Sequence, residues 1–276
     1  MRVFVLGTGS SGNALLVEAD GTRLLVEAGI GPKNASARMQ SLGADLFDAP
    51  VDGIVVTHHH QDHAAQLEPL CKALGAPREG ASAAPMLHLH DGVDAPRVRH
   101  RFALRRYRAS EAFEVGALRV RTLAVPHDAP HVALAIESKT HAFGFVTDVG
   151  TVTHALVDFL GSCNTVMLES NFCPQLLELG PYPRSLRRRI AGNFGHLSNG
   201  QAAALAGSVA RQATSKIFLC HLSRVNNEPE LALKTVGERA KDAHVEVLPH
   251  GRSRLLELAP ARRRRMEQLS LFASNR

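Results

Sequence analysis

Short apolar runs bounded by Gly, Pro, Asp and Asn recur along the chain. They predict strands at 3–6, 14–18, 24–28, 54–57, 86–89, 118–125, 132–137, 143–147, 165–169, 217–220, 245–248 and 254–258. Apolar positions three and four apart predict helices at 33–42, 62–74, 153–160, 184–190, 200–212 and 228–240. No internal repeat shows a fixed period. Segments 80–85 and 91–96 read as loops, and the residues after Pro260 as an unpacked tail. A dozen strands without regular strand–helix alternation disfavour a doubly wound sheet. Two mixed sheets packed face to face, with helices outside, fit better. The expected organisation is one α/β domain over 1–260 and a basic tail over 261–276.

Composition narrows the class. Of 276 residues, 45% are hydrophobic and 21% charged, the balance of a globular chain able to bury a full core. No apolar run approaches the roughly 18 residues of a membrane helix, and the run at 3–6 is too short for a signal-peptide core. Cys71, Cys163, Cys173 and Cys220 lie far apart without CxxC spacing. Neither a disulfide framework nor a zinc ribbon is indicated, and a reducing cytoplasm is the expected setting. The net charge of +6 is unevenly placed. Residues 262–276 hold five arginines against one glutamate. Arg97, Arg99, Arg101, Arg105, Arg106 and Arg108 form one acid-free cluster, and Arg184, Arg187, Arg188 and Arg189 another. Charge runs are commonly solvated faces, but two clusters and a basic tail favour a polyanionic partner.

Histidine is the other anomaly, with fifteen residues beside no tryptophan, and it carries the strongest motif. Thr57, His58, His59, His60, Gln61, Asp62 and His63 follow an apolar strand and open a helical pattern. Alternate residues share a face, so a turn there aims His58 and His60 to one side, while Asp62 and His63 reach a second point nearby. Imidazole nitrogens with a carboxylate are ligands for zinc or a similar divalent ion. The motif supplies half of a two-metal site. Further candidates sit where strands end, at His127, Asp148 and His221. A carboxylate at Asp148 could bridge two ions at a spacing of roughly 3.5–4 Å. His88, His90, His100, His131, His141, His154, His244 and His250 lack such settings and read as surface or core histidines.

With these motifs in this order, the sequence resembles the metallo-β-lactamase-fold hydrolases, and more narrowly their YycJ/WalJ-type branch of metal-dependent DNA exonucleases. The narrower resemblance rests on Gly9-Ser10-Ser11-Gly12-Asn13, Gly180-Pro181-Tyr182-Pro183, Gly195-His196-Leu197-Ser198-Asn199, and His221-Leu222-Ser223 followed by Asn226-Asn227. It runs from about residue 3 to residue 258, and implies a four-layer αββα sandwich of two mixed sheets with helices outside. It also implies two divalent ions, zinc or manganese: His58, His60 and His127 on one, Asp62, His63 and His221 on the other, Asp148 bridging. Water activated between the ions would be the nucleophile. Asp62 would orient it, and His196 is the candidate proton donor to the leaving oxygen, the alternative being a helix-cap or supporting role. Ser11, Asn13, Asn171, Arg187, Arg188 and Asn199 are the expected substrate contacts, the arginines being suited to clamping phosphates.

The chain departs from the family's pattern at three places. Glu27-Ala28-Gly29 stands where Asp-Ala-Gly is usual; that acid supports the metal-binding loop from behind, and Glu27 is the candidate for the same role with a longer reach. Phe172 and Cys173 stand where an aromatic or histidine and then an aspartate are common. His59 replaces an acid, at a position expected to point away from the metals. The fold does not decide the substrate. Arginine clusters and branch-specific loops lean toward DNA. An RNA-processing nuclease, a thioester or lactam hydrolase, and a catalytically silent DNA- or clamp-binding scaffold are the alternatives. In the tail, Gln268, Leu269, Leu271 and Phe272 resemble the short peptide by which bacterial DNA-processing enzymes dock on the sliding clamp; otherwise they pack on their own domain. DNA and the clamp are therefore the expected partners, and no membrane.

Overall fold

The computed structural model describes residues 1–75, 84–95, 98, 101–248 and 250–260. The apolar runs are unbroken because successive side chains of a strand enter two different cores. In β1 (Arg2–Gly7), Val3 and Val5 join the core between two sheets, while Phe4 and Leu6 face helices. The first sheet joins β1, β2 (Ala14–Ala19), β3 (Thr22–Val26), β4 (Gly53–Val56), β5 (Met86–His90), β6 (Leu104–Tyr107) and the late strand β14 (Arg254–Glu257), in the order β14-β1-β2-β3-β4-β5-β6. The second joins β7 (Ala112–Val115), β8 (Leu118–Ala124), β9 (Val132–Glu137), β10 (Ala142–Val146), β11 (Thr165–Glu169), β12 (Lys216–Cys220) and β13 (His244–Val247), in the order β13-β12-β11-β10-β9-β8-β7. Both sheets are mixed. Pairing is antiparallel from β14 to β3 and parallel from β3 to β6; it is antiparallel from β7 to β10 and parallel from β10 to β13.

Three cores separate four layers. Val26, Val55, Phe143, Phe145, Met167 and Phe218 fill the space between the sheets. Helices α1 (Pro32–Gln40) and α3 (Leu67–Leu74) cover the first sheet through Met39, Leu67 and Leu70. Helices α4 (His154–Gly161), α7 (Asn199–Ala210) and α8 (Pro229–Gly237) cover the second through Leu160, Leu205 and Val236. The short helices α2 (Gln61–Ala64), α5 (Pro174–Leu179) and α6 (Arg184–Ile190) lie on connections. This is the αββα sandwich expected. Among the described residues no helix is long and apolar enough to cross a membrane, and all four cysteines are free and buried.

The structure adds elements that the hydrophobic pattern does not mark. β6 reads Leu-Arg-Arg-Tyr and β7 Ala-Phe-Glu-Val. Both are edge strands whose outward residues meet water, so neither shows an apolar run. The six-residue α5 is too short for a period to show. The helix expected over 62–74 is broken into α2 and α3, where the Gln66 amide turns aside to donate to the Ala28 carbonyl (2.8 Å).

Candidate metal centre

Strand register assembles the site at the C-terminal ends of the strands, the usual position for ligands in open mixed sheets. Parallel pairing of Val26 with Val55 sets Glu27 beside the histidine motif. The buried Glu27 carboxylate accepts from the Thr57 amide (3.3 Å) and the Thr57 hydroxyl (2.5 Å), and lies 3.3 Å from His63 Nδ1. Thr57 Oγ1, having donated to Glu27, accepts from His58 Nδ1 (3.1 Å). On the second sheet, pairing of Glu169 with Cys220 sets Glu169 beside His221. Glu169 Oε1 accepts from the amides of Val149 (2.7 Å) and Leu197 (3.0 Å), while Oε2 lies 3.1 Å from His196 Nδ1 and 3.3 Å from His221 Nδ1. Glu27, Asp148 and His221 adopt left-handed backbone, with φ of 65°, 56° and 54°. Residues with a β-carbon hold that conformation only where the surroundings over-determine it; the His221 amide, for one, donates to Thr8 Oγ1 (2.9 Å).

Loops 9–13, 27–29 and 58–63 are braided by backbone bonds: Ala28 N to His63 O (2.6 Å), Asn13 N to Asp62 O (2.7 Å) and Gly29 N to Asn13 O (2.9 Å). A β-carbon on Gly29 would lie 1.8 Å from the Asp62 carbonyl oxygen, so only glycine fits the crossing. The braid brings the predicted ligands together. Side-chain donor atoms of His58, His60 and His127 lie within 4.8 Å of one another, as do those of Asp62, His63 and His221. The Asp148 carboxylate reaches His63 Nε2 at 3.0 Å, His196 Nδ1 at 3.5 Å and His221 Nε2 at 3.8 Å. His59 is exposed, as expected.

The two trios differ in charge. Burial lowers the pKa of His58, His60 and His127, which keeps them neutral. His131, whose ring packs 4.3 Å from that of His58, donates to the Thr147 carbonyl (2.7 Å) and is pushed down to about 3 by burial. Across the site burial again opposes charge, but carboxylates outweigh it. Glu27 and Asp148 push His63 up to about 10, and Asp148, Asp62 and Glu169 hold His221 well above the usual range. His196 is raised by Glu169 and Asp148; in return, and against burial, it draws Glu169 down to about 2.

Donor chemistry and geometry both fit a divalent ion. His58 Nε2, His127 Nδ1 and His221 Nε2 are buried and make no hydrogen bond, a costly state without a further partner. On His58 and His221 the orphaned nitrogen is the one opposite the Thr57 or Glu169 contact. Supporting groups that hold Nδ1 leave Nε2 free to ligate. The protons held by His63 and His221 are those a cation would displace.

Asp62, Asp148, His60, His127, His196 and His221 line a cleft of about 380 Å³, joined by Ser10, Tyr182 and Arg189. The expected substrate residues are placed as follows. Ser11 is exposed beside Ser10. Asn13 is buried; its amide nitrogen lies 2.9 Å from His63 Nε2 and its oxygen accepts from the Gly9 amide (2.8 Å). Asn171 donates to the His221 carbonyl (2.8 Å), and Asn199 exchanges amide hydrogen bonds with Asn227 (2.8 and 2.9 Å). These amides are committed to holding the site's frame. Arg187 bonds the Glu178 carbonyl and, with Arg188, lines a neighbouring cavity.

Sequence reasoning missed Glu169 and the pairing of Arg189 with Asp128. Arg189 Nε and Nη2 donate to Asp128 Oδ2 (2.9 and 2.6 Å), whose other oxygen lies 3.3 Å from His60 and 3.2 Å from His127. The one signal for Glu169 was an acid closing an apolar strand. In the first arginine cluster, Arg105 is paired with Glu111, Arg108 with Asp91, and Arg106 with the carbonyls of His90 and Val93. Arg97 and Arg99 lie outside the described residues.

Fold and site together define a class. Residues 22–221 match the Beta-lactamase superfamily domain. The chain belongs to that superfamily and is a metal-dependent hydrolase of the metallo-β-lactamase fold. It is 31% identical over 237 residues to the exodeoxyribonuclease YycJ of Bacillus anthracis, covering 85% of this chain and 87% of the relative. It is 28% identical over 249 residues to the exodeoxyribonuclease WalJ of Streptococcus pneumoniae, covering 88% and 89%. Among solved structures, the metallo-β-lactamase-fold protein YhfI of Bacillus subtilis superposes with a TM-score of 0.70 at 17% identity, over 93% of this chain and 99% of that one.

Proposed function

We propose that the chain is a dinuclear-metal phosphodiesterase that degrades DNA from an end. The observation that carries this reading is the pair of imidazole-rich trios around the buried Asp148 carboxylate, in a cleft that His196 also lines. Relatives named exodeoxyribonucleases support DNA as the substrate. His58, His60 and His127 would hold one ion, Asp62, His63 and His221 the other, and Asp148 both. Bound zinc or manganese lowers the pKa of water to about 7 and neutralises charge on phosphoryl oxygens. The protein supplies the rest. Glu27 and Glu169 fix the tautomers of His63 and His221, and Asp62 orients the attacking water. His196 donates an Nδ1–H hydrogen bond to Glu169, and its raised pKa favours a second proton on Nε2 for the leaving oxygen.

Digestion of end-labelled duplex and single-stranded DNA and RNA, with divalent metal and with chelator, tests the reading. Progressive shortening of DNA that chelator abolishes is the expected result; degradation of RNA alone, or activity confined to thioesters or lactams, overturns it. Docking on the sliding clamp belongs to the same reading and rests on Gln268, Leu269, Leu271 and Phe272, which lie outside the described residues, as does the whole tail 261–276. Leu271→Ala with Phe272→Ala should abolish co-purification with the clamp, and retained binding would remove docking from the reading.

A further inference from the structure

Helix α6 holds four arginines in seven residues and buries none of them. Core packing therefore does not account for its position; it is a wall between two cavities. Leu186, Arg189 and Ile190 face the cleft where Asp62, Asp148 and His221 converge. Arg184, Arg187 and Arg188 face a second cavity of about 520 Å³ floored by Phe172 and Leu177. The spacings 184/187/188 and 186/189/190 are opposite faces of one helix, so the helix separates the cavities by about its own width of roughly 10 Å. Glu178, the one carboxylate in the second lining, is taken by Arg187 (3.3 Å). The guanidinium groups of Arg184 and Arg188 have no ion-pair or hydrogen-bond partner among the described residues.

The segment after α6 presents Phe194, 61% exposed and two residues before His196. Its loop is firmly held. The Gly195 amide donates to Gly192 O (2.9 Å), the His196 amide to Ile190 O (2.9 Å) and Thr151 Oγ1 to Asn193 O (2.9 Å). Gly150 packs so closely beneath it that a β-carbon there would lie 2.2 Å from Asn193 O. A phenylalanine kept in water forgoes about 1.5–3 kcal/mol of burial. A fixed backbone holds this one beside residues that line the metal cleft.

We infer that Phe194 and the arginine cavity of α6 form a subsite for single-stranded DNA, an inference that rests on the nuclease reading above. The ring stacks on an unpaired base next to the scissile phosphodiester, and Arg184 and Arg188 contact phosphates farther along the strand. Aromatic stacking combined with free guanidinium groups is the chemistry of sequence-tolerant single-strand binding; a paired base offers no free face for it.

Steady-state degradation of a labelled single-stranded oligonucleotide by the metal-loaded protein tests this. Phe194→Ala should raise KM by about 5- to 150-fold, the loss of one stacked base, with kcat changed far less, and Phe194→Tyr should restore it. Arg184→Ala with Arg188→Ala should flatten the dependence of log KM on log salt by about 1.4, two phosphates at about 0.7 each. Leu233→Ala, an exposed apolar position on α8, is the surface control, and metal content and melting temperature verify each variant. Unchanged KM and salt slope in the variants overturn the inference and leave the nuclease reading standing. A parent that degrades no DNA overturns that reading, and the subsite with it.

Discussion

Replacing Glu169 by glutamine removes a charge without changing volume, and the structure states what the amide must then do. The carboxylate is fully buried and accepts on both sides: two backbone amides at Oε1, and the Nδ1 atoms of His196 and His221 at Oε2. A glutamine can accept on one side only. Turning its NH₂ toward Val149 and Leu197 would set buried donors against each other, costing about 1–3 kcal/mol for each backbone amide left unpaired. The favoured orientation keeps the oxygen there and points the NH₂ at the imidazoles. His221 Nδ1 must then accept and so gives up its proton, which leaves the ring protonated only at Nε2, the nitrogen that faces Asp62 and Asp148. A protonated Nε2 cannot ligate. Losing such a support weakens metal binding by about 10- to 100-fold, or about 1.4–2.8 kcal/mol. Competition with a chromogenic chelator measures this, and imidazole ¹⁵N shifts of the metal-free protein report the tautomer. Metal affinity within twofold of the parent, with the His221 proton still on Nδ1, would refute the reasoning.

Three further outcomes are expected. His196→Ala should keep its metal content while kcat falls by about 10²–10⁴; loss of an ion instead would make His196 a ligand. Gly29→Ala drives a β-carbon into Asp62 O and should cost about 3 kcal/mol, the upper end for overpacking, whereas Gly237→Ala, with open space around it, should be neutral or slightly stabilising. Equal melting temperatures for the two would contradict the crossing. His88 stacks on Phe113 between the sheets and is pushed down to about 4 by burial and by Arg105. The unfolded chain therefore binds a proton between pH 6.5 and 4 that the folded chain refuses. Stability present above pH 6.5 should fall by about 3 kcal/mol as pH drops through this window. Urea unfolding of His88→Leu should show a shallower pH dependence than the parent, and parallel curves would argue against the assignment.

The ligand residues could be read from the chain because their signals are local. Apolar runs mark strands that are covered on both faces, and a histidine or aspartate directly after such a run stands at a strand end, where the two sheets open. That was enough to nominate His58, His60, Asp62, His63, His127, Asp148 and His221 and to expect two sheets between helices. Edge strands β6 and β7 gave no such signal, because half of each is solvated. The roles of Glu27 and Glu169 depend on pairing: Val26 against Val55, and Glu169 against Cys220. Nothing in the spacing along the chain encodes those registers. The same holds for Asn13, Asn171 and Asn199, polar in sequence but drawn inward because a buried amide must find partners, and for the arginines, whose charge the sequence shows but whose pairing it does not. Charge state is the last property that tertiary structure alone sets. His58 and His63 belong to one motif, yet burial leaves the first neutral while Glu27 and Asp148, brought from distant strands, make the second a cation.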